Sequence, residues 1–138
     1  ILAEEGGFDP RFFCYQEEFD LCWRARRSGW RFLAEPAARV RHRVSASSGE
    51  NRAWREFQLE RNRVWAIAKN ASPLELATAL PSLVREEISS WRYAVRTRAP
   101  WILSARREAL AGLGRIVRGR RRGGSVAEWV GVDRPRPI

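Results

Sequence analysis

Three carboxylates stand within four residues of one another at Glu17, Glu18 and Asp20. A cluster of this kind can accept a proton from a hydroxyl in general base catalysis. It can equally do no more than complement the positive end of a helix. His42, the sole histidine, can ligate a metal ion through a ring nitrogen or simply close a strand end on a backbone carbonyl. Gly6-Gly7 can let the backbone approach a substrate or form a plain turn. Taken one at a time, these residues leave chemistry and structure as open alternatives.

The elements that position them can be read from pattern. Gly6 to Pro10 is turn-rich, and Phe12, Phe13 and Tyr15 make a short aromatic segment. A helix is predicted from about Glu17 to Ser28, acidic in its first turn, with Arg24, Arg26 and Arg27 in its last and Gly29 as its stop. Trp30 to Ala34 alternates as a strand, 35–37 is a turn, and Arg39 to Val44 alternates again, so a short β-hairpin is expected. From Asn51 onward Trp54, Phe57, Arg61, Val64, Trp65 and Ala68 recur at helical spacing. Ser72-Pro73 opens a helix over 74–80, and Ile88, Trp91 and Val95 mark a third helix, which Pro100 interrupts. Ile102, Ala105, Ala109, Leu110, Leu113, Ile116 and Val117 line one face of a fourth, with Arg107, Arg115 and Arg118 opposite.

With 138 residues, 44% of them hydrophobic, the chain can build a modest core and is not disordered by composition. No apolar run reaches the length of a membrane span. Cys14 and Cys22 belong to no CxxC pair and are expected to be reduced thiols, consistent with a cytosolic setting. Ile1 to Glu5 has no signal-peptide character and reads as a chain entered partway through. The net charge of +10 is uneven: residues 1–71 carry 13 basic and 10 acidic side chains, whereas 85–122 carry 11 arginines against three glutamates. Such a stretch suits an anionic membrane surface or, less well in the absence of any nucleic-acid motif, a nucleic acid. A solvated helical bundle is the plain alternative. Lys69 is the only lysine.

The order Gly-Gly-Phe-Asp-Pro-Arg-Phe-Phe, Tyr-Gln-Glu-Glu-Phe-Asp-Leu-Cys-Trp-Arg, Gly-Trp-Arg and Ala-Arg-Val-Arg-His, followed by Glu60-Arg61-Asn62-Arg63, resembles family 2 glycosyltransferases of the GT-A type, rhamnosyltransferase-like members above all. The resemblance covers roughly residues 1–120. It implies an α/β fold class, the C-terminal part of a GT-A domain (residues 1–71, the acidic-start helix and the hairpin); by pattern and charge a basic helical extension (72–122) and a tail (123–138) are expected to follow. It implies an inverting transferase that takes a sugar from a nucleotide-sugar donor to a cell-surface glycan or lipid-linked acceptor. The alternative is a non-catalytic basic module. Glu18 stands where the family has its catalytic base, usually Asp, with Glu17 and Asp20 beside it. Gly6 and Gly7 would border substrate, and His42 would ligate a divalent ion, Mn²⁺ or Mg²⁺. No Asp-x-Asp occurs in the chain, so most of the donor site is expected elsewhere and the fragment alone is expected to be inactive. The implied location is cytoplasmic, peripheral on the inner membrane face if the basic helices meet anionic lipid.

Overall fold

A computed structural model of the chain describes residues 5–41 and 51–119. Among the described residues four helices are set out: α1 (Glu17–Arg27), α2 (Arg52–Asn70), α3 (Pro73–Thr97) and α4 (Pro100–Arg118). The expected α/β class is thereby corrected, because no strand forms among the described residues. The segment 30–34 is irregular, and so is 39–41; residues 42–44 of the expected second strand lie outside the described ones. Alternation alone does not make a strand. An isolated pair of short strands is marginal unless a face is buried, and here Leu33 and Val40 are both 86% exposed. Only the connecting turn forms, with the Ala38 N–H donating to the Glu35 carbonyl at 3.0 Å.

α1 follows from its charge polarity and its stop. Gly29 takes φ 87°, and the Trp30 and Gly29 N–H groups donate to the Ala25 and Arg26 carbonyls, closing a Schellman motif. α2 starts where the Asn51 side chain accepts from the Trp54 N–H at 2.9 Å. α3 opens with a capping box between Ser72 and Glu75 and with Pro73 at its first turn. The two helices expected over 74–95 are one. Pro81 lies inside it on an exposed side, where a lost backbone bond is tolerated. α3 ends at Arg98, left-handed with φ 50°, and Pro100 starts α4 rather than breaking a helix.

The core lies between α2, α4 and the aromatic segment before α1: Phe12, Trp65, Ala66, Ala109 and Ile116. The Phe12 and Trp65 rings meet edge to face, centroids 6.3 Å apart, and the Trp65 indole N–H donates to the Ala109 carbonyl at 3.0 Å. Trp65 decides which face of α4 is buried. Ile102, Ala105, Ala109, Gly112 and Ile116 turn inward, while Leu110 and Val117, expected on that face, are exposed. Small residues win the inner positions because a Cβ at Gly112 would come within 2.6 Å of the Trp65 ring. α3 has no buried residue at all. Among the described residues no helix is long and apolar enough to cross a membrane.

Candidate functional site

The acidic start of α1 is mounted on a buried ionic network. Asp20 is fully buried. Its Oδ2 accepts from Lys69 Nζ at 2.9 Å and from Arg24 Nε at 3.0 Å, and its Oδ1 from Asn70 Nδ2 at 2.8 Å. Lys69 donates also to Asp9 Oδ2 at 2.7 Å, so one ammonium ties the Gly-Gly-Phe-Asp turn to α1. Burial works to raise the Asp9 carboxyl, but hydrogen bonds from Arg11 and Lys69 outweigh it and hold the group well below the usual carboxylate range. The Arg24 guanidinium donates to the carbonyls of Glu5 and Gly7 as well. Gly6 and Gly7 have φ 74° and 69°, and a Cβ at Gly7 would meet nothing within 4 Å. Backbone conformation, rather than crowding, is what asks for glycine at Gly7.

The approach to the helix is strained. Phe13, Tyr15 and Gln16 all take left-handed φ, 61°, 69° and 67°. Such conformations persist only where the surroundings over-determine them. Asn62 does so here: its Nδ2 donates to the carbonyls of Phe12, Cys14 and Tyr15 at 2.8, 2.9 and 2.8 Å. Arg61 reinforces it, donating from Nε to Asn62 Oδ1 at 2.9 Å and from Nη1 to Glu108 at 2.7 Å. The Phe13 and Tyr15 rings both meet Trp54 edge-on, at 6.3 and 6.1 Å. The helix therefore begins at a fixed place, although Gln16 provides no side-chain cap.

On that mount the three carboxylates part company. Asp20 is consumed by its partners. Glu17 is half-buried, and its Oε2 is buried with no hydrogen-bond donor to it among the described residues. Glu18 is exposed, about 200° around the helix from Asp20. Cys14 sits close by: burial pushes its thiol up, and the charges of Glu17 and Glu18 push it further. Both cysteines are free thiols. The arrangement can present one open carboxylate on a rigid base to an incoming hydroxyl, beside an exposed aromatic face.

His42 lies outside the described residues. Among the described residues no cluster of three or more His, Cys, Asp or Glu side chains could hold a metal ion. The described residues therefore do not by themselves fit a divalent ion, since Asp9 and Asp20 are already bound to Lys69. Sequence reasoning missed Lys69, Asn70 and the positioning role of Asn62. A signal existed for the first: one lysine in a chain otherwise basic through arginine.

The chain is similar to two curated proteins, both called N-acetylglucosaminyl-diphospho-decaprenol L-rhamnosyltransferase, from two strains of Mycobacterium tuberculosis (CDC 1551 / Oshkosh and ATCC 25618 / H37Rv). In each case 42% of 52 residues are identical, a match over 38% of this chain and 17% of the relative's length. No protein-family model matches the chain, and no solved structure matches it significantly.

Proposed function

We propose that this chain carries the acceptor-side portion of an inverting glycosyltransferase, one that moves L-rhamnose from a nucleotide-activated donor to an N-acetylglucosaminyl-diphospho-polyprenol acceptor. The rhamnosyl group and the lipid acceptor are those in the names of the similar proteins, carried over to this chain as part of the proposal. The observation that carries the reading is the division of labour at the start of α1. Asp20 and Asp9 hold the turn and the helix together through Lys69, and Glu18 alone of the three acids is left open.

In this reading Glu18 takes the proton of the acceptor hydroxyl as that oxygen bonds to the anomeric carbon. The bond from the anomeric carbon to the diphosphate breaks, and its electron pair leaves with the nucleotide. Attack opposite the leaving group inverts the anomeric configuration. Glutamate in place of the family's usual aspartate is one methylene longer and reaches the same hydroxyl from a backbone set slightly further back. Gly6 and Gly7 border the acceptor, and Phe13, Tyr15 and Trp54 offer it aromatic faces. A divalent ion, Mn²⁺ or Mg²⁺, with His42 as this chain's ligand to it, belongs to the proposal for the whole transferase, and no step here runs through it.

The test is transfer by the transferase that contains this chain, supplied with nucleotide-activated L-rhamnose and N-acetylglucosaminyl-diphospho-polyprenol. A rhamnosylated lipid with inverted anomeric configuration is expected. A product that retains configuration, or transfer to neither this acceptor nor any other sugar hydroxyl, would overturn the reading.

A further inference from the structure

α3 is attached to the rest of the chain by polar side chains. Glu75 pairs with Arg27 at 3.0 Å, Glu87 with Arg106, Ser90 donates to Glu60 at 3.1 Å, and the Tyr93 hydroxyl donates to Glu56 at 2.7 Å. Its apolar side lies about 100° round the helix from Glu87 and Ser90, clear of that contact. Leu80, Val84, Ile88, Trp91 and Val95 recur at steps of four, four, three and four, which stacks them in one stripe along the helix. All five are exposed, Leu80 at 57%, Ile88 at 55% and Val95 at 75%. A surface helix ordinarily buries such a stripe against its own core.

Immediately beside the stripe runs a row of arginines. Arg85, Arg92 and Arg96 each follow a stripe residue by one position, which puts them about 100° further round the helix. All three are exposed, and among the described residues none pairs with a carboxylate. The acids of α3 lie elsewhere, Glu75 and Glu87 on the inward side and Glu86 on the far flank. An apolar band bordered by unpaired guanidinium groups is complementary to one kind of surface, acyl chains beneath anionic headgroups.

We propose that α3 lies in the plane of an anionic lipid bilayer, with Leu80, Val84, Ile88, Trp91 and Val95 sunk below the headgroups and Arg85, Arg92 and Arg96 on lipid phosphates. Of the basic stretch 85–122, the membrane contact is thereby given to α3 and not to the inner face of α4. Trp101 is held by Glu56 at 2.8 Å, and Ile102, Ala105, Ala109 and Ile116 are buried, so none of these can insert. The inference stands on α3 alone and is independent of the transferase reading.

The experiment is co-sedimentation of the full 138-residue chain with vesicles of phosphatidylcholine alone or mixed with phosphatidylglycerol. Binding to the mixed vesicles only is expected. Arg85→Gln/Arg92→Gln/Arg96→Gln should weaken it on the order of a hundredfold, about fivefold for each arginine. Val84→Ser/Ile88→Ser should abolish the part of the binding that survives high salt, with the helix content by circular dichroism unchanged because both positions are exposed. Equal binding to both vesicles, binding to neither, or binding indifferent to the serine pair would overturn the proposal. So would a concentration-dependent dimer that Ile88→Ser dissolves in a chain that ignores vesicles, which would give the stripe to a second copy.

Discussion

Lys69 is the side chain whose loss costs the site most. Its ammonium sits 2.7 Å from Asp9 and 2.9 Å from Asp20, 5.6 Å from the Phe12 ring centroid, and is almost fully buried. Removing one partner of a buried ion pair leaves the other charge uncompensated, which costs more than the pair itself contributes. Lys69→Met should therefore destabilise the fold by about 3–5 kcal/mol, read from chemical unfolding. The same network sets an acid limit. The Asp9 carboxyl is held low in the fold, so its contribution is fully present above the unfolded value of about 4 and is lost as pH falls below it. Melting temperature should drop steeply below about pH 4, and Asp9→Asn should start from a lower melting temperature and decline less. An equally steep decline in that variant would remove Asp9 from the account.

At the scale of the elements, the helices were legible and the faces only in part. α1 announced itself through acids at one end, arginines at the other and Gly29 beyond. α2 and the start of α3 announced themselves through Asn51 and Ser72-Pro73. The hairpin was misread because Trp30-Arg31-Phe32 alternates without any surface to bury the alternation. The inner face of α4 was legible at Ile102, Ala105, Ala109 and Ile116, but Leu110 and Val117 are exposed and Gly112 takes an inner place, because periodicity counts apolar size whereas the broad Trp65 indole leaves no room for a side chain at Gly112. That geometry gives two glycines of one helix opposite signs. Gly112→Ala places a methyl 2.6 Å from Trp65 and should cost about 1–3 kcal/mol. Gly114→Ala meets nothing within 4 Å and should stabilise by about 0.5–1 kcal/mol, the ordinary advantage of alanine in a helix. Thermal melts of the two variants decide it. Matching shifts would mean that α4 is not seated on Trp65 as described.

Across the whole molecule, the carboxylate cluster was visible in the sequence but its division of labour was not. First-turn acids at 17, 18 and 20 carry no mark of which one faces a lysine 49 positions away. Nor does Asn62 reveal that it holds three carbonyls of a left-handed run. Those pairings come from the packing of α2 against the segment before α1, a long-range fact that spacing does not encode. The resemblance put the base at Glu18, and the packing leaves Glu18 open while it occupies Asp20. The two roles separate by measurement in the proposed transferase: turnover and melting temperature of Glu18→Gln set beside those of Asp20→Asn. Glu18→Gln keeps the shape and removes the proton acceptor, so turnover should vanish with the melting temperature and donor binding unchanged, and Glu18→Asp should keep substantial activity. Asp20→Asn should lower the melting temperature first. Wild-type turnover in Glu18→Gln, or an Asp20→Asn variant that melts normally yet no longer turns over, would contradict the assignment and hand the base to Asp20.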